Sequence, residues 1–156
     1  MMAAITSRPH GVNRFWWILP MGLTFAVDVI LTLLGQPDRY WEGHRDDAVE
    51  ANPLACGLLL VSPWLFLGLA TAWVLVLGLI VKTWTPRFAV WLPAAIVVIN
   101  TLAHAIGGGS WLMRHGTCGW IAMIVYLALV AEFTKRCFRR NVTCGGSRLA
   151  TDHRDH

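Results

Sequence analysis

The chain has 156 residues, of which 56% are hydrophobic and only 14% charged, with a formal net charge of +4. Soluble domains carry about 25% charged residues, so this balance excludes an ordinary soluble globular domain and points to a chain built for a bilayer, where an ionised side chain is costly. The basic residues flank apolar segments and form no patch of their own, which argues against nucleic acid as a partner and for the lipid bilayer itself.

Residues 1–14 are polar and carry Arg8 and Arg14. An apolar run follows over 15–35, with Asp28 as its one formal charge. About 20 residues rising 1.5 Å each span roughly 30 Å, the thickness of the hydrocarbon core. The run is too long for the core of a signal peptide and no small-x-small cleavage site follows it, so it reads as a first membrane helix. Residues 36–52 form the longest polar connection, acidic through Asp38, Glu42, Asp46, Asp47 and Glu50. A short surface helix is expected over 43–51. Asn52-Pro53 then reads as a helix start, with Asn as N-cap and Pro at the first helical position. The second span is expected over 54–81, kinked at Pro63.

A tight turn at 82–87, containing Trp84 and Pro86, leads to a third span over 88–106 that includes Asn100 and His104. The run Gly107, Gly108, Gly109 is read as its stop. A short loop with Trp111, Arg114 and His115 precedes a fourth span over 117–133. The pattern predicts an all-α fold, an integral membrane bundle of four transmembrane helices. It comprises an N-terminal segment (1–14), the membrane domain (15–135) and a basic tail (136–156).

An even number of spans puts both termini on the side of the 82–87 turn. That side holds ten Lys and Arg: Arg8, Arg14, Lys82, Arg87, Lys135, Arg136, Arg139, Arg140, Arg148 and Arg154. The other side holds three: Arg39, Arg45 and Arg114. The positive-inside rule then predicts a bacterial cytoplasmic (inner) membrane protein with both termini cytoplasmic.

That orientation gives each polar residue a depth. Asp28 lies about 20 Å along an outward-going helix, and His104 reaches a similar level on another. Thr32 follows Asp28 by one turn, and Asn100 precedes His104 by one turn. Glu50 and Asn52 are expected at the outer mouth of the second span. Hydrocarbon disfavours such groups unless they face the bundle interior and find partners. Asp28 and His104 are therefore expected within hydrogen-bond or shared-ligand reach, titrating as a coupled pair, with Thr32 and Asn100 orienting them and Glu50 guarding the entrance.

Carboxylate, imidazole and amide are also what a divalent cation such as zinc, or a proton-transfer site, would use. Asp28, Glu50 and His104 are the candidate metal ligands, although their spacing matches no standard metal motif. The alternative is a hydrogen-bond network that only fixes helix register. Glu132 reads as structural, paired with Lys135 and Arg136 one turn on. Cys56 and Cys118 share the outer face, where an oxidising compartment would let them bridge if packing brings them together.

Asp28-x-x-x-Thr32, Glu50-x-Asn52-Pro53 and Asn100-x-x-x-His104 together resemble a family of small prokaryotic multi-pass membrane proteins known as a domain of unknown function. The resemblance covers roughly residues 24–135, and E-x-N-P is its most specific element. It implies a four-helix membrane domain and highlights the residues already singled out by depth, without supplying an activity. The functional expectation is an outward-facing intramembrane polar site for a small ligand, proton or metal ion. Two others stand beside it: a structural or assembly subunit, and a membrane-embedded metal-dependent hydrolase. No Ser or Cys nucleophile is evidently paired with a base, so the hydrolase would need a metal-activated water. A homo-oligomer or a membrane partner protein fits any of the three.

Overall fold

A computed structural model describes residues 14–84 and 91–146, with side chains through residue 139. Residues 85–87 of the expected 82–87 turn, and the ends of both terminal segments, thus fall outside the described residues, while Lys82 and Thr83 still belong to the preceding helix. Those described form six α-helices and no strand: α1 (Phe15–Leu34), α2 (Asp38–Trp41), α3 (Pro53–Val61), α4 (Pro63–Thr83), α5 (Leu92–Met113) and α6 (Gly116–Gly146). Of these, α1, α4, α5 and α6 as far as Arg139 are long and apolar enough to cross a bilayer. The chain is an all-α, four-span membrane bundle.

Helix α1 is its axis, packing most extensively against α5 and then against α6 and α4. At the basic end, the Arg14 guanidinium donates to the carbonyls of Val81 (3.0 Å) and Trp84 (2.6 Å), pinning the start of α1 to the end of α4. Trp17 stacks on Phe138 at 5.0 Å, which sets α6 antiparallel to α1. Helix α5 runs parallel to α1: His104 faces Asp28, and two turns on the Trp111 ring lies over Gly35. Any side chain at Gly35 would overlap that ring. Met21, Val74 and Leu77 form a buried cluster between α1 and α4. Only 11% of the α6 span is buried, so most of its surface faces away from the other helices.

Two expectations are corrected. The segment 54–81 is not one kinked helix. Ser62 is extended (φ −169°, ψ 136°) and separates α3 from α4. A proline disfavours helical geometry in the residue before it and brings no N–H, so Ser62-Pro63 is a second helix start. The Ser62 hydroxyl caps the Trp64 N–H at 3.2 Å, as Asn52 Oδ1 caps the Leu54 N–H at 3.0 Å. The nine residues of α3 are far short of the roughly 20 needed to span. The crossing falls to α4 alone, and α3 packs beside it and beside the 3-10 turn Arg45–Asp47 at the acidic end. That turn occupies part of the connection where a short helix was expected over 43–51.

The second correction concerns the three glycines. They do not end α5, which continues to Met113. Glycine tolerates helical geometry when neighbours require close approach, and all three face neighbours. A Cβ on Gly108 would lie 3.4 Å from Asp28 Cα, and one on Gly109 3.1 Å from Met123 Cγ. Trp111, expected in a loop, is consequently a buried residue of α5. The α5–α6 turn is Arg114–His115, closed by Gly116 at φ +66°.

The acidic end is organised by side chains that satisfy backbone. Gln36 donates to the carbonyls of Thr32 (2.9 Å) and Val49 (3.0 Å) and accepts from the Val49 N–H (2.9 Å). Tyr40 is fully buried among Val29, Leu59 and Phe66. Its hydroxyl donates to the Leu59 carbonyl at 3.0 Å. That carbonyl lies four residues before Pro63, whose missing N–H would otherwise have bonded it. Arg45 lies over the Tyr40 ring at 4.6 Å and donates to the Tyr40 carbonyl at 2.9 Å.

Candidate functional site

Asp28 and His104 meet as expected. His104 Nδ1 lies 2.8 Å from Asp28 Oδ2. The two side chains are 21% and 20% exposed, so the pair is sheltered without being sealed. The Phe25 ring, one turn before Asp28, packs edge-on against the imidazole at 5.4 Å. Gly107 provides the room. A Cβ there would lie 2.6 Å from Asp28 Oδ1 and 2.9 Å from Cγ. The carboxylate thus fills the space a side chain at 107 would occupy, against the α5 backbone.

Tyr126 of α6 is the residue that depth alone did not single out. Its hydroxyl lies 3.6 Å from the Cβ position of Gly108, which also abuts Asp28. The oxygen is buried without a hydrogen-bond partner among the described residues. A buried unpaired phenol beside a carboxylate–imidazole pair is the pattern of a polar site rather than of apolar packing. A tyrosine in an apolar helix gives no signal in the sequence, because amphipathic rings are ordinary near membrane interfaces.

The other expected members stand apart. Asn100 donates to the Ile96 carbonyl of its own helix at 2.9 Å. Thr32 is buried, and its carbonyl serves Gln36 at the acidic end. The Glu50 carboxylate accepts from the Asn52 N–H at 2.8 Å. It belongs to the turn that starts α3, because the break at Ser62 puts all of α3 between Glu50 and the second crossing. Asn52 is a helix cap. Among the described residues, no group of three His, Cys, Asp or Glu stands close enough to hold a metal ion. Asp28, Glu50 and His104 do not converge as a ligand set.

Cys56 and Cys118 are both free thiols. The condition set for a bridge is not met: Cys56 sits on α3 and Cys118 on the first turn of α6, two helices that are not packed against each other. Glu132 pairs with Arg136 at 2.9 Å and Lys135 at 3.5 Å, the structural role expected of it.

The chemistry open to the pair follows from its geometry. With a proton on Nδ1 donated to the carboxylate, Nε2 carries the imidazole lone pair. Asp28 then fixes tautomer and ring orientation, leaving Nε2 as a base or as a single ligand atom. Of the two hydroxyls on α5, Ser110 donates to the Gly107 carbonyl at 2.7 Å, so its proton is committed to its own helix, whereas that of Thr101, three residues before His104, is buried with no hydrogen-bond partner among the described residues.

No family model, curated protein or solved structure matches the chain. The likeness carried by the D-x-x-x-T, E-x-N-P and N-x-x-x-H elements rests on those residues alone.

Proposed function

We propose that this chain is a multi-pass membrane protein of a bacterial cytoplasmic membrane whose Asp28–His104 pair is an intramembrane proton-binding site. The pair lies in the half of α1 nearer the acidic end of the bundle, the outer side by the positive-inside rule. The observation that carries this reading is the 2.8 Å contact between carboxylate and imidazole on two spanning helices, beside the unpartnered Tyr126 hydroxyl. A carboxylate and an imidazole in hydrogen-bond contact offer a proton an acceptor on either side. A proton is also the smallest ligand a two-member site can take, whereas a tightly held zinc ion wants three or four protein ligands.

Infrared and nitrogen-15 NMR titration of the full chain in detergent tests the proposal. The carboxyl signal of Asp28 and the ring-nitrogen signals of His104 should change over one shared pH interval, and Asp28→Asn should displace the interval seen at His104. Failure of either group to change protonation over the range in which the fold persists would leave a packing contact and overturn the proposal. An independent His104 transition, indifferent to Asp28→Asn, would overturn it as well.

A further inference from the structure

Tyr126 carries a hydroxyl that the Asp28–His104 contact does not use. Its oxygen is buried and has no hydrogen-bond partner among the described residues. A buried hydroxyl is nearly always bonded to protein or to an ordered water, because leaving it bare in apolar surroundings is costly. The shape around it says what fits. Gly107 and Gly108 leave α5 without side chains where α1 and α6 both lean on it. The Asp28 carboxylate fills the space beside Gly107. Beside Gly108 the space is open. A Cβ there would meet Asp28 Cα at 3.4 Å, Asp28 N at 3.5 Å and the Tyr126 hydroxyl oxygen at 3.6 Å, all ordinary contact distances. A body the size of a methyl group therefore fits between the phenol and α1, and a water molecule is of about that size.

The polar atoms at hand select water over an ion. Asp28 gives Oδ2 to His104, which leaves Oδ1 for a second donor. Asp28 is also the charged group whose field acts on the Tyr126 phenol. A metal ion wants more oxygen ligands than one phenol and one carboxylate supply, whereas a water is held by as few as two polar partners. Two hydrogen bonds through one water span about 4.5 Å between the outer oxygens, a reach that a direct bond lacks.

We propose that the gap beside Gly108 holds one ordered water, which accepts from the Tyr126 hydroxyl and donates to Asp28 Oδ1. Both carboxylate oxygens are then held, one by the imidazole and one by the water, and Tyr126 is a positioning residue for Asp28. The water's place in a proton site rests on the proton-binding reading above; its presence rests on the gap and the hydroxyl.

Proton-detected NMR of the full chain in detergent, at one pH and with carbon-13 in tyrosine and aspartate, tests this. The chain has two tyrosines, so Tyr126→Phe identifies the Tyr126 signals by their loss. The Tyr126 hydroxyl proton should transfer magnetisation to one bound water. Gly108→Ala, whose methyl group fits at those contact distances, should abolish that transfer without lowering the melting temperature. Tyr126→Phe and Gly108→Ala should shift the Asp28 carboxyl carbon signal alike, because either change takes the water from Oδ1. A Tyr126 hydroxyl without water contact, one bonded directly to Asp28 or to a backbone carbonyl, a water contact that survives Gly108→Ala, or an Asp28 signal indifferent to Tyr126→Phe would overturn the proposal. Should Gly108→Ala fail to fold, the water contact of the unaltered chain and the response to Tyr126→Phe still decide. Because every measurement is made at one pH, none depends on whether the Asp28–His104 pair titrates.

Discussion

A carboxylate in a membrane helix persists only with a partner, and Asp28 has His104 at 2.8 Å. Asp28→Asn keeps an oxygen that accepts from Nδ1–H, so it should cost less than about 1 kcal/mol. Asp28→Leu strands the imidazole and should cost about 1–3 kcal/mol, the usual penalty of an unsatisfied buried polar group. Thermal melting in detergent separates the two, and equal losses would show that the hydrogen bond contributes nothing. Gly107→Ala should act on the same pair from the other side. Its Cβ would lie 2.6 Å from Asp28 Oδ1, so the carboxylate must move. A stability loss of about 1–3 kcal/mol is expected for such overpacking, along with an altered pH response at His104 by NMR. An unchanged response would mean that the space behind Asp28 is not what holds it. The Asp28–His104 pair was legible in the sequence because a charge and an imidazole in apolar runs have a depth, and two equal depths imply a meeting. Asn100 and Thr32 shared that depth but not that partner. Amides and hydroxyls can satisfy themselves on the carbonyl four residues back, as Asn100 does on Ile96, and depth says nothing about that choice.

At the scale of elements, the two prolines of the second hydrophobic segment had unequal fates in the sequence. Asn52-Pro53 reads as a helix start because an Asn cap stands before a Pro at the end of a polar loop. Ser62-Pro63 has the same chemistry, but unbroken apolar sequence on both sides makes it look like a kink in one long helix. The glycine run misled in the opposite direction: three helix-weakening residues look like an end until a partner helix needs the space. What Pro63 removes, Tyr40 restores, since its hydroxyl occupies the Leu59 carbonyl that a residue with an N–H at position 63 would have bonded. Tyr40→Phe should therefore loosen α3, at a cost of about 0.5–1.5 kcal/mol. Burial pushes the Tyr40 phenol above its ordinary value, and the nearby Arg45 pulls only partly against it. A group whose folded value is raised contributes stability that is full below the ordinary tyrosine value of about 10 and is lost as pH climbs through the raised one. The chain has two tyrosines, so Tyr126→Phe leaves Tyr40 as the sole phenol. Phenolate absorbance of that variant should titrate above the ordinary range, with loosening of α3 at the same pH. A midpoint at the ordinary value would show Tyr40 to be solvated.

For the whole molecule, the four crossings were legible because hydrocarbon thickness fixes the length of apolar sequence a helix must supply, and α1, α4, α5 and α6 supply it. Which end faces out is a separate matter, decided during insertion by the charges that flank the spans. Of the thirteen Lys and Arg, ten lie with the termini and the turn after α4, and three lie with the acidic connection and the α5–α6 turn. Lys and Arg next to spans resist translocation, while acidic residues contribute little, so the acidic character of 36–52 is not itself the signal. The ten-to-three ratio is, and it predicts cytoplasmic termini. The packing makes one side's fate the other's: Arg14 on α1 is bonded to Val81 and Trp84 at the end of α4, so these two ends must share a face. Single cysteines at Gly43→Cys and Thr85→Cys, in a chain whose four natural cysteines are replaced by alanine, convert this into a measurement. In intact cells an impermeant thiol reagent should label position 43 and should reach position 85 only after permeabilisation. Labelling of 85 alone would invert the bundle and turn the Asp28–His104 site toward the cytoplasm. Equal labelling of both positions in intact cells would mean that the charge difference does not select one orientation.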